Sequence, residues 1–176
     1  PMILSLRSNG YAHNVYPLID RYNYVICRAV VDDRTYFLDA SDVRIGFNRL
    51  PAACYNGHAR IIDEGSQAVF FEADSLKEVK NTTVFIVNEG QATISGRLVQ
   101  TPGYYESAQI RNTVIKEGKE SFINNFKRDF DAAIRLKDSK IDSLNALDDP
   151  LQISIDFESA LNGEAVVYFD PMLGQG

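Results

Sequence analysis

The chain is 176 residues long, 45% hydrophobic and 24% charged, with a formal net charge of −6. That length allows one large domain or two small ones, with a core that needs no staples, and the acidic balance argues against nucleic acid or an anionic membrane surface as partner. No apolar run approaches the roughly 20 residues of a membrane-spanning helix.

Met2 to Leu6 suit a short buried strand, and Ser8-Asn9-Gly10 is a turn signal ahead of a loop from Tyr11 to Asp20. Tyr22 to Val31 are mostly apolar and β-branched, the pattern of a strand buried on both faces or nearly so. Asp32-Asp33 predicts a two-residue turn, although Gly is absent from it, and Thr35 to Leu38 return as the partner strand. Beyond Asp39 an irregular crossing runs through Ser41 to Gly46 and Leu50-Pro51. The Asn56-Gly57 turn then opens a short strand from His58 to Asp63. Glu64-Gly65-Ser66 is the best internal boundary and divides the chain into modules at 1–65 and 66–176.

The second module opens with a strand over Ala68 to Ala73, followed by a hairpin of Thr82 to Asn88 and Gln91 to Gln100 around Glu89-Gly90. Gly96 inside the return strand signals a bulge or a close backbone approach. After Pro102-Gly103 helical spacing takes over: Ala108, Arg111, Val114 and Ile115 share one face, and Phe122, Ile123, Phe126 and Phe130 another, with Gly118 separating or kinking the two pieces. The aromatic face reads as helix core. Ala133 to Leu136 is a strand candidate and Lys137 to Pro150 a polar loop. Leu151, Ile153, Ile155 and Phe157 alternate with polar residues as a half-buried strand, and Asn162-Gly163 turns into Glu164 to Phe169 as its antiparallel partner. The opening residues look like a strand and not a cleavable leader, and both ends read as cut from a longer protein. The expected fold is α+β and mostly antiparallel: a β-module followed by a sheet with one or two packed helices.

The first hairpin has a geometric consequence. With Asp32-Asp33 as the turn, Ile26 faces Asp39 and Tyr24 lies two positions further along the same face. Tyr24 and Asp39 are then diagonal neighbours, with Cα atoms roughly 7–8 Å apart. Tyr24 reads either as a half-buried strand aromatic beside a strand-end turn residue bonded to backbone amides, or as a phenol donating its hydroxyl to the acid.

Four stretches carry a resemblance over about the first 65 residues: Leu4 to Gly10, the Asn23-Tyr24-Val25-Ile26 strand, Tyr36-Phe37-Leu38-Asp39-Ala40-Ser41, and Leu50-Pro51 followed by Cys54-Tyr55-Asn56-Gly57. Together they resemble the distal half of a transglutaminase-like domain, the papain-type fold in which Cys, His and Asp cooperate. The branch is a bacterial one, found in large exported multi-domain proteins. The second module is similar to a domain of unknown function that follows the core in that branch. The resemblance implies a periplasmic or cell-envelope location and places His and Asp at the positions of Tyr24 and Asp39. Tyr24 departs from that pattern, because a phenol with a pKa near ~10 is no general base at neutral pH without a large shift. The resemblance puts the Cys-bearing helix upstream of Pro1. The expectation is a non-catalytic fragment, a structural or interaction module whose degenerate positions are Tyr24 and Asp39. The alternative is a part of a Cys-dependent protease or acyl-transfer enzyme whose nucleophile lies upstream.

The other candidates point away from chemistry. Cys27 reads as an inert buried thiol and Cys54 as a loop residue, with a bridge between them left open. His13 and His58 read as solvated loop or strand-start residues. Neither a Cys54–His58 pair nor a zinc site built from both His and both Cys is favoured by spacing. Asp138, Asp142, Asp148 and Asp149 lack the Gly and terminal Glu of a calcium loop and read as solvated. The sequon Asn81-Thr82-Thr83 carries little weight in a bacterial protein. Tyr104 and Tyr105, read as exposed, suggest a glycan- or peptide-binding surface in the second module. No cofactor or metal is expected. The expected partners are the rest of the parent polypeptide and an unidentified protein or glycan.

Overall fold

A computed structural model describes residues 1–15, 18–88, 90, 93–128 and 134–160. The fold is α+β, with two antiparallel sheets and two helices among the described residues. The chain divides into two compact units, Pro1–Glu78 and Val79–Gly176.

The first unit holds β1 (Met2–Leu4), β2 (Tyr24–Val31), β3 (Arg34–Leu38), β4 (Gly57–Ile61) and β5 (Ala68–Phe71), in the order β3-β2-β1-β4-β5. The strand at Ala68, read from sequence as the opening of the second module, pairs with β4 instead. The Glu64-Gly65-Ser66 stretch is therefore a hairpin connection within the first sheet, and the division falls at Glu78/Val79. Asp32 and Asp33 both adopt the left-handed conformation, at φ 48° and 60°, which makes the two-residue turn whose twist suits a hairpin. Asp tolerates that conformation without Gly. Pairing then runs from Val31–Arg34 to Cys27–Leu38, the expected register.

One face of this sheet carries the core. Met2, Leu4, Ile26, Ala59, Ile61 and Phe71 are buried with Leu50 and Cys54. Phe37 and Phe71 meet edge-on at 5.0 Å between ring centroids. The opposite face is open at β2, where Val25 is 63% exposed and Cys27 is exposed. The expected two-sided burial of this strand, and of Cys27, does not occur. Apolar residues occupy both faces of β2, but the first unit covers one.

The second unit holds β6 (Asn81–Asn88), β7 (Thr93–Thr101), α1 (Tyr104–Glu117), α2 (Lys119–Lys127), β8 (Ile134–Asp142) and β9 (Gln152–Ala160), with sheet order β6-β7-β9-β8. Leu151, Ile153 and Ile155 pack under Ile110 and Val114 of α1 and Phe122 and Phe126 of α2, so both helices cover one face. Ile110 takes the buried place expected of Ile115, which is exposed. Gly118, at φ 89°, separates the helices, and its N–H donates to the Val114 carbonyl at 2.9 Å. At Gly96 a close approach is realised and a bulge is not: the Phe157 ring and the Phe85 carbonyl occupy the space a Cβ would need.

The bulge lies instead in β8, between Leu136 and Asp138. It reverses the inward phase, from Ile134 and Leu136 to Ser139 and Ile141, which pair with β9 opposite Ile155 and Ile153. Lys137 to Asp142 are thus strand, not loop, and only the residues after Asp142 form the turn-rich connection. Both neighbours of β9 are taken, by β7 and β8. The expected Asn162-Gly163 turn and the strand Glu164 to Phe169, like Phe130, Ala133 and the turn residue Glu89, lie outside the described residues.

Candidate functional site

The hairpin delivers Tyr24 and Asp39 to the core face of the first sheet. Tyr24 opens β2 opposite Leu4 of β1, and Asp39 follows the last residue of β3. The Tyr24 hydroxyl donates to Asp39 Oδ2 at 2.6 Å and also meets the Ser41 hydroxyl. The Ser41 backbone N–H donates to Asp39 Oδ1 at 2.8 Å, the side-chain turn that Asp makes two residues ahead of an amide. The strand-end turn and the phenol-to-acid contact are thus both present, one on each carboxylate oxygen.

Both protonation equilibria are shifted. Burial, then the hydrogen bond to Asp39 and the acid's negative charge, push the Tyr24 phenol above its ordinary value, against a smaller opposing pull from Ser41. Burial pushes the Asp39 carboxyl up, but the hydrogen bonds from Tyr24 and from Ser41 outweigh it and hold the acid below the usual range. A proton thus rests on the far weaker acid of the pair. The carboxylate is a poor base, and the phenol has no proton-accepting role near neutrality.

Cys54 belongs to the same neighbourhood. It ends the 3-10 turn Ala52–Cys54 and is buried in the core against which Tyr24 packs. Burial, with the Asp39 charge nearby, pushes its thiol up to about 12. Such a thiol stays protonated, whereas nucleophilic cysteines need a lowered pKa. Both cysteines are free.

Ser41, the third group at the acid, is the residue that sequence reasoning missed. The Asp39-x-Ser41 spacing at a strand end was the available signal.

His58 is not solvated. It sits in β4 with 1% exposure, and its Nδ1 lies 2.8 Å from the Tyr22 hydroxyl. Phe70, its partner across the strand pair, packs against it with the rings tilted and their centroids 5.6 Å apart. Ala59, the next residue, faces the core that holds Cys54. Strand alternation therefore turns His58 to the opposite face and keeps it from Cys54. His13 packs edge-on against Tyr11, 4.8 Å between ring centroids. Among the described residues no three His, Cys, Asp or Glu side chains are grouped as metal ligands.

In the second unit, Tyr104 and Tyr105 are half-buried, with their rings edge-on at 5.4 Å, and not the exposed pair expected. The loop carrying Asp148 and Asp149 surrounds a cation supplied by the chain itself. Arg111 is 1% exposed, and its guanidinium donates to the carbonyls of Ser143, Ala146 and Asp149 at 3.1, 2.8 and 2.9 Å. Those carbonyls, the kind of oxygen a calcium loop would use, are already occupied.

Compared with known proteins, the chain matches no family model, no curated protein and no solved structure.

Proposed function

We propose that this chain is a non-catalytic structural or interaction module of a larger exported protein related to the transglutaminase-like enzymes. A Tyr–Asp pair stands where those enzymes carry His and Asp. One observation supports the reading: the Tyr24 hydroxyl donates to Asp39 at 2.6 Å. In a His–Asp pair the acid holds one ring nitrogen and leaves the other free as a base near neutrality. A phenol has a single polar atom, and here its proton is already directed at the acid. The pair then serves to close the end of the hairpin over the core. The partners of such a module are the other parts of its parent polypeptide, together with a protein or glycan still to be identified.

A second reading keeps Asp39 as the orienting carboxylate of a Cys-dependent protease or acyl-transfer enzyme whose nucleophile lies upstream of these residues. The lowered pKa of Asp39 favours it to that extent, since the acid stays ionised. It requires an imidazole to displace Tyr24 from the carboxylate.

The test is an assay of the purified chain for thiol-dependent ester or peptide hydrolysis and for amine incorporation into a glutamine substrate. The expected result is no turnover above buffer. Tyr24→His is expected to restore a His–Asp contact and still give none, because Cys54 remains protonated in the core. Turnover that Cys54→Ser or Cys27→Ser abolishes would overturn the proposal.

A further inference from the structure

We propose that the first unit binds a small organic carboxylate with an apolar or aromatic body, in the cavity lined by Tyr11, His13, Val15, Leu18, Arg21 and Tyr22, with Arg21 and the Tyr22 hydroxyl as its anion contacts. This goes beyond the module reading and does not depend on it.

The cavity measures about 700 Å³, within the roughly 300–1,000 Å³ of small-molecule sites, which join apolar walls to a few polar groups. Its walls are apolar side chains without core partners: Val15 is 74% exposed and Leu18 54%. The ring of Tyr11 adds an aromatic surface, and its hydroxyl is already committed to the Glu72 carboxylate at 3.2 and 3.3 Å.

Two groups fix the charge preference. Arg21 forms no ion pair among the described residues. Its guanidinium is a delocalised cation whose fork of donors matches a carboxylate. It disfavours a cationic ligand in the same space.

Tyr22 gains its role from the buried histidine behind it. His58 Nε2 is buried and without a partner, while Nδ1 meets the Tyr22 oxygen. Burial and the Arg60 charge lower the His58 pKa, so the ring is neutral at pH 7 and one nitrogen carries the proton. A proton on Nε2 would leave a buried N–H donor unpaired, an arrangement folded proteins rarely hold, whereas an unpaired acceptor is better tolerated. The proton therefore belongs on Nδ1 and is donated to the Tyr22 oxygen. The Tyr22 O–H is then free to donate into the cavity, where an anionic oxygen is its best acceptor.

The experiment uses 4-phenylbutyrate as probe and its neutral counterpart 4-phenylbutanamide as control, titrated into the full chain at low salt and followed by backbone amide NMR. The expected result is saturable shifts at Tyr11, His13, Arg21 and Tyr22, with the carboxylate binding about tenfold more tightly than the amide. Arg21→Gln, a change at an exposed position, is expected to remove that difference while sheet resonances stay in place. Tyr22→Phe is expected to weaken the carboxylate several-fold. Equal affinity for acid and amide, an unchanged affinity in Arg21→Gln, shifts confined to other residues, or no saturable shift would each overturn the proposal.

Discussion

A hydroxyl that donates to a carboxylate lowers the acid's pKa and raises its own, and the Tyr24–Asp39 contact does both. Its energetic value is modest because Asp39 is only half-buried and water can replace the phenol. Tyr24→Phe removes the donor from Asp39 and the partner from Ser41 while keeping the ring that packs on the core. It is expected to cost about 1 kcal/mol in urea unfolding. The decisive measurement is the Asp39 titration followed by carboxyl NMR: its pKa should rise toward the ordinary carboxylate value in the variant. An unmoved pKa would mean that the Ser41 groups alone hold the acid down. Gly57 is fixed by a different constraint in the same unit. It sits at φ 90°, and a Cβ there would lie 2.7 Å from the Ala12 carbonyl and from the Tyr11 ring, so the Asn56-Gly57 turn has no room for a side chain.

The β2–β3 hairpin was legible in the sequence because its signal is local. Two residues that tolerate positive φ sit between two apolar runs, and the register follows from the turn. Strand β8 was not legible beyond Leu136, because the bulge shifts its inward positions by one and erases the alternation that period-two reading depends on. The contact around Asp39 followed from the hairpin register, whereas the burial of His58 depends on Tyr22, 36 residues away, which no window over a single stretch can join. Arg111 shows the same limit. Its place beside Ala108 and Val114 on the helix face marked it as interior, but its partners are carbonyls more than thirty residues away. Removing this guanidinium takes a charged donor from the part-buried carbonyls of Ser143, Ala146 and Asp149, of which the first two keep a backbone N–H. Arg111→Met is expected to destabilise the second unit by about 3 kcal/mol, and Arg111→Lys to recover little, since an ammonium lacks the planar fork. Denaturant unfolding of both variants, with hydrogen exchange at 143–149, checks this. Full stability in Arg111→Lys would show that charge alone suffices.

Two small cores in one acidic chain make the response to acid informative, because the groups that link protons to stability are few and identifiable. In the first unit the shifted groups that titrate on the acid side are His58 and Asp39, both with lowered pKa. Buried His58 resists protonation when folded but takes a proton at its ordinary value of 6.5 when unfolded. Below that pH the unfolded state binds more protons, so stability falls as the pH drops from 6.5 toward the lower folded pKa, and then levels off. Asp39 contributes stability that is present above its ordinary 3.8 and is lost as the pH falls through its lower folded value. Asp156 of the second unit moves in that same acid window through its exposed pair with Arg97, and adds little for that reason. Urea midpoints of the first-unit transition are therefore expected to be level between about pH 8 and pH 7 and to decline in two steps, one beginning near 6.5 and one below 3.8. His58→Gln should abolish the first step whatever it does to stability at neutral pH, because the variant has no group there to protonate. If the first step survives in His58→Gln, the buried imidazole is not its source, and the neutral ring invoked behind Tyr22 loses its thermodynamic support.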